Sequence, residues 1–220
     1  MVTCCQSTAL PVYLAGMNDA ASDSGQRGPT EHAIRDQIVA AANEHFSRYG
    51  YGKTTVSDLA TAIGFSKAYI YKFFDSKQAI GEAICAASLT SIVRHAEEVI
   101  ADAKTPTEKI RRMFSTIIAD TTRLAFTDRK VYDLAVTACA ERWPPADAYL
   151  ESLRGMVARI VTEGRRTGEF ERKTALDETS RAIVGAMMTF LSPVSLQYNL
   201  DEVPQLPNEM VAMILRSLSP

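Results

Sequence analysis

A chain of 220 residues, 46% hydrophobic and 23% charged, has the make-up of a folded globular protein with room for a sizeable core, and general disorder is excluded. Its formal net charge of −2 excludes a uniformly basic nucleic-acid binder but permits a local basic surface. Cysteines 4, 5, 85 and 139 form no Cys-x-x-Cys and no set with histidine at metal spacing, so reduced thiols in a cytoplasmic protein are expected, with no disulfide framework, metal or cofactor.

Residues 1–29 mix Ser, Gly, Asp, Asn and Pro without helical periodicity and read as a flexible extension, with Met17 a second candidate start. Arg27 is the one basic residue there, which is little for a minor-groove arm. The apolar patch Ala9 to Ala15 lacks a basic start and contains Pro11, unlike a secretory signal. No apolar run approaches the roughly 18 residues of a membrane span, so no membrane partner is expected.

From Glu31 a 3.6-residue period begins, with Ile34, Ile38, Ala41, His45 and Tyr49 on one stripe and Ala42 and Phe46 beside it; Gly50 and Gly52 end this first helix. Thr54 and Thr55 are cap candidates for a second helix, whose Val56, Leu59, Ala60 and Ile63 match an amphipathic face. Gly64 supplies a turn and Ser66 the next cap. In the third helix Ile70, Phe73 and Phe74 cluster on one side, while Ala68, Tyr69, Tyr71 and Lys72 fall on the other. Two helices joined by a glycine turn, the second carrying tyrosines and lysines on its outer half, suit insertion into a DNA groove.

Ser76 caps a long helix to about Ala103, and Thr105-Pro106-Thr107-Glu108 is a capping box opening a helix to about Phe126. Further helices are expected from Asp128 to Glu141, from Ala146 to about Arg166 ahead of Gly168, from Thr174 or Asp177 to about Leu191, and from about Gln205 to Leu218. No segment reads as strand. The fold class is therefore all-α, a three-helix helix-turn-helix head over residues 30–77 followed by a larger helical body over residues 78–220.

Thr54-Thr55-Val56-Ser57-Asp58-Leu59-Ala60, Ile63-Gly64-Phe65-Ser66, Ile70-Tyr71 and Phe74-x-Ser76-Lys77 resemble the TetR family of bacterial transcriptional regulators. The resemblance covers about Ile34 to Ile80; in the body it extends only to helix layout and the Gly168-Glu169-Phe170 turn. It implies a homodimer whose two heads read a palindromic double-stranded DNA operator, and a body that binds a small-molecule effector and lowers DNA affinity. By the same resemblance Thr54 and Thr55 start the phosphate-contacting helix, Lys67, Ala68 and Tyr69 open the recognition helix, Tyr71 and Lys72 meet backbone or base edges, and Lys77 meets phosphate. Ala68-Tyr69 replaces a commoner Gly-Thr or Pro-Thr pair, and Phe73 stands where histidine is frequent, which leaves open the base that Tyr69 reads.

Candidate effector contacts are Met113, Phe114, Ile117, Thr121, Tyr132, Val136, Cys139, Trp143, Tyr149, Met156 and Met188, an adaptable apolar set with a few polar anchors. Small and apolar residues suited to close packing across a two-fold axis are Ala182, Gly185, Ala186, Phe190, Met210 and Ile214. Enzyme signatures such as Gly-x-Ser-x-Gly, a phosphate-cradling glycine loop or His-Glu-x-x-His are missing. The expected function is a ligand-released repressor, with activation or a protein partner as alternatives on the same fold.

Overall fold

In a computed structural model the described residues are 30–220; the expected N-terminal extension and Cys4 and Cys5 lie outside them. Eleven α-helices and one 3-10 turn follow one another without a strand among those residues. They are α1 Glu31–Tyr49, α2 Val56–Ile63, α3 Lys67–Ile70, α4 Lys77–Ala101, α5 Pro106–Thr127, α6 Arg129–Ala140, α7 Pro144–Thr167, α8 Leu176–Ala186, α9 Met188–Leu191, α10 Pro193–Leu196 and α11 Gln205–Ser217.

The ends of these helices follow local chemistry. Side-chain oxygens of Thr30, Thr55, Ser66, Ser76, Thr105 and Asp128 each accept a backbone N–H of the first turn, satisfying donors that a helix start otherwise strands. Gly64 and Gly168 close α2 and α7 in the left-handed region, at φ 78° and 80°, where a side chain would be strained. Proline stands in the first turn of α5 and α7, as its missing N–H allows.

Three expectations change. The buried line of α1 is Ile34, Ile38, Ala42 and Phe46, while Ala41 and His45 are half-buried and Tyr49 is exposed. The i, i+4 row through Phe46 sinks the larger ring, and the row through His45 turns outward. The helix expected to run to Leu191 breaks at Met187 into α8 and α9, and Pro193 opens a separate α10. Neither Thr174 nor Asp177 caps α8, whose N-cap residue is Ala175 without a side-chain bond.

The core has two parts. One gathers Ile100 of α4, Ile110, Met113, Phe114 and Ile117 of α5, Met156 and Val157 of α7, Ile183 of α8, Phe190 of α9 and Ile214 of α11. The other contains Ile38, Phe46, Leu59, Ile70 and Phe74 together with Ile80 and Ile84 of α4, Leu134 and Ala138 of α6, and Trp143. The head is therefore finished by α4 and α6, and its apolar interior continues past residue 77.

Candidate nucleic-acid interface and cavity

Gly64 makes the sharp turn into α3: its own N–H and that of Phe65 both reach the carbonyl of Ala60. Ser66 then accepts from Tyr69 N at 3.1 Å. After Ile70 the turn continues through Tyr71 N to Lys67 O and tightens through Lys72 N to Tyr69 O and Phe73 N to Ile70 O, so residues 67–73 form one short helical unit. Ile70 and Phe74 are buried beneath it. Arg35 of α1 fastens its far end, donating to Phe73 O at 3.0 Å and lying over the Phe74 ring at 4.2 Å; nothing in the sequence periodicity signals that link.

Lys67, Ala68, Tyr71 and Lys72 face outward. Lys67 Nζ stands 5.9 Å from the Tyr71 ring and Lys72 Nζ 5.6 Å from the Tyr69 ring. Tyr71 is 42% exposed, but Tyr69 is half-buried, stacked edge-on between Phe65 and Phe73 at 5.0 and 5.4 Å. Tyr69 is thus held by two aromatic neighbours instead of projecting freely.

The two adjacent threonines separate. Thr55 is exposed and makes a reciprocal capping box: its hydroxyl accepts from Asp58 N at 3.2 Å, and its N–H donates to the Asp58 carboxylate at 2.8 Å. These bonds from the Thr55 N–H and hydroxyl hold the Asp58 carboxyl below its usual range. Thr54 is corrected from an outward contact to an interior one, 2% exposed, donating to Gly50 O at 2.9 Å and lying 3.2 Å from His45 Nδ1. Lys77 is half-buried; its Nζ donates to Tyr51 O at 3.0 Å and sits 4.2 Å from the Tyr51 ring centre.

In the body, α4, α5, α6, α7, α9 and the start of α10 enclose a cavity of about 330 Å³. Of the expected effector contacts, Thr121, Tyr132, Cys139, Tyr149 and Met188 line it. Met113, Phe114, Ile117 and Met156 are instead fully buried core, because their turns of α5 and α7 face other helices. Val136 is half-buried and off the wall. Trp143 belongs to the head's interior, edge-on to Tyr51 at 5.6 Å.

Sequence reasoning missed α4 as a wall; Ile84, Cys85, Ser88, Leu89 and Ile92 come from it. Burial pushes the Cys85 thiol up to about 12 and raises that of Cys139, which favours the protonated thiol over the nucleophilic thiolate at both. At the rim Arg142 and Asp147 form a loose ion pair of 3.7 Å.

Of the expected pairing residues, Ala182, Gly185 and Ala186 are exposed on α8 and Met210 is half-buried on α11. Phe190 and Ile214 are corrected to core residues, with exposures of 0% and 5%. Met213, not foreseen, is 54% exposed on α11. Among the described residues no cluster of three or more potential metal ligands occurs, and no helix is long and apolar enough to cross a membrane.

Comparison with known proteins bears on both halves. Residues 38–84 match the family model described as bacterial regulatory proteins, tetR family, and residues 106–205 match that of the tetracyclin repressor-like C-terminal domain. Over 49 residues the chain is 41% identical to the biofilm operon icaADBC HTH-type negative transcriptional regulator IcaR of Staphylococcus aureus (strain Newman), a stretch covering 22% of this chain and 26% of that protein. The match thus spans about a quarter of the curated relatives' length. The fold is similar to that of RolR in complex with resorcinol, with TM-score 0.62, 14% identity and coverage of 86% of this chain and 88% of that one. It is also similar to the transcriptional regulator FadR from Bacillus subtilis in complex with stearoyl-CoA, with TM-score 0.60, 21% identity and coverage of 83% and 98%.

Proposed function

This chain belongs to the TetR family of bacterial transcriptional regulators, and we propose that it is a homodimeric repressor that binds a palindromic operator and is released by a small, largely apolar effector. The observation that carries the DNA reading is the outward face of residues 67–72, where Lys67, Tyr71 and Lys72 stand exposed on a unit fastened from below by Ile70 and Phe74. Such a unit is rigid enough to enter a major groove, its cations neutralise phosphates, and two copies one helical turn apart read two half-sites. Thr55 and the neighbouring N–H groups of α2 are the phosphate contacts of the second helix, with Lys77 at the start of α4.

Residues 30–77 carry DNA binding in this reading, and residues 78–220 carry effector binding and pairing. The cavity supports the effector half, because a partly enclosed apolar space suits a small molecule better than a protein partner. At about 330 Å³, with Arg142 and Asp147 the only charged side chains on its wall among the described residues, it favours a compact molecule of the size class of resorcinol over an acyl-CoA, whose phosphates require several cations.

Helix α6 supplies the route between the two sites. Tyr132, Ala135 and Cys139 face the cavity, Leu134 and Ala138 belong both to its wall and to the head's interior, and the following Trp143 completes that interior. An effector that fits one placement of α6 better than another shifts the spacing of the heads, by no more than its differential affinity for the two states.

Selection of bound genomic fragments followed by mobility-shift titration tests the DNA reading. Operator affinity is expected to fall steeply between about 50 and 200 mM salt; an affinity independent of salt overturns it.

A further inference from the structure

Two hydroxyls of the cavity wall are already occupied, and Ser88 and Ser192 stand on that wall as well. The Tyr132 hydroxyl donates to Pro193 O at 2.8 Å, and the Thr121 hydroxyl donates to Ile117 O at 2.9 Å. Tyr149 differs. It lines the cavity from α7 and is 7% exposed, yet its shielded hydroxyl has no hydrogen-bond partner among the described residues. An unpaired buried hydroxyl lowers stability, so such groups are rare unless something else completes them. Burial raises the Tyr149 pKa, which leaves the phenol protonated and an O–H donor at neutral pH.

The rest of the wall restricts what can meet that donor. Ile84, Leu89, Ile92, Leu124, Val131 and Leu191 are aliphatic. Arg142 and Asp147, at the rim, offset each other's charge. A net charge carried inward would therefore meet no counter-charge and would lose its hydration.

We propose that Tyr149 is the specificity-determining anchor of the cavity, donating a hydrogen bond to an oxygen acceptor on a compact, uncharged, largely apolar effector. This rests on the reading of the cavity as the effector site. The thiols of Cys85 and Cys139 act as inert wall, so capture is noncovalent.

The test uses the full-length protein and three probes of one size: acetophenone, its near-isostere α-methylstyrene with a methylene in place of the oxygen, and the anion benzoate. Binding is followed by calorimetry in the wild type and in Tyr149→Phe. Acetophenone is expected to bind roughly three- to tenfold more tightly than α-methylstyrene, and Tyr149→Phe to abolish that preference while leaving α-methylstyrene unaffected. The melting temperature of Tyr149→Phe without probe is expected to equal or exceed that of the wild type, since the substitution removes only an unpaired hydroxyl.

Equal binding of acetophenone and α-methylstyrene in both proteins overturns the anchor and leaves the cavity as an effector site. Tighter binding of benzoate than of acetophenone overturns the uncharged class. A melting temperature of Tyr149→Phe several degrees below the wild type assigns the hydroxyl a structural partner and overturns the anchor as well. No binding of any probe at millimolar concentration overturns both the anchor and the underlying reading of the cavity.

Discussion

Trp143 lies against Gly81 so closely that a Cβ at position 81 would stand 2.9 Å from the indole ring. The ring is enclosed, with the Tyr51 ring 5.6 Å away and Nε1 donating to Glu141 at 2.9 Å, so it has nowhere to retreat. Gly81→Ala is expected to destabilise the protein by about 1–3 kcal/mol through overpacking, and to weaken operator binding by displacing α4 from α6. Urea denaturation gives the first quantity and mobility shift the second. An unchanged midpoint shows instead that the indole yields.

The two lysines that flank the end of the recognition unit are expected to behave differently. Lys72 is exposed, its Nζ 5.6 Å from the Tyr69 ring centre; Lys72→Ala should weaken operator binding and reduce its salt slope by about one, leaving the melting temperature nearly unchanged. Lys77, half-buried on the Tyr51 carbonyl and ring, should cost stability as well, about 1–2 kcal/mol on replacement by alanine. If both variants melt alike, the Lys77–Tyr51 contact contributes nothing to folding. Ile70→Ala, by contrast, opens a cavity beneath the face and should cost about 2–5 kcal/mol.

What the sequence made legible is the part governed by neighbours along the chain. The caps at Thr55, Ser66, Ser76 and Thr105, the turn at Gly64 and the apolar row of α2 all follow from local spacing, and helices stand where those signals set them. Long-range partners were not legible. Thr54 and Thr55 are the same residue type one position apart, and only the descent of the chain from Gly50 decides which hydroxyl faces inward. Trp143 sits in a body segment by sequence but completes the head's interior, and the wall of α4 depends on residues of α5, α6 and α7 that lie far from it along the chain. Phe190 and Ala186 both suit a packing face; which of them faces a core is fixed by the break at Met187.

Acid should loosen the start of α2. The Asp58 carboxylate, held below its usual range by the N–H and then the hydroxyl of Thr55, has a folded-state pKa beneath that of the unfolded chain. Its contribution is therefore fully present above the unfolded value of about 3.9 and is lost as pH falls through the folded value. Stability measured by denaturant at pH 7 and at pH 3 should differ less in Asp58→Asn than in the wild type. Thr55→Ala removes the cap at all pH values and is expected to cost about 1 kcal/mol. An equal pH dependence in Asp58→Asn and wild type rules this group out as a contributor.

Pairing of two copies is expected to use the exposed small residues of α8, with Met210 and Met213 of α11. Gly185 offers a clean test, because a Cβ built there meets nothing within 4 Å and its φ is not left-handed. Gly185→Arg is therefore compatible with the protomer, and an arginine in the last turn of α8 is intrinsically more favourable than glycine. A long cation placed where two α8 helices approach across a two-fold axis would instead be forced against its own symmetry mate. The variant should keep its helical circular dichroism yet scatter light as a monomer at micromolar concentration, and it should lose operator affinity because one head reads only a half-site. A dimer of unchanged mass would place the pairing surface away from α8.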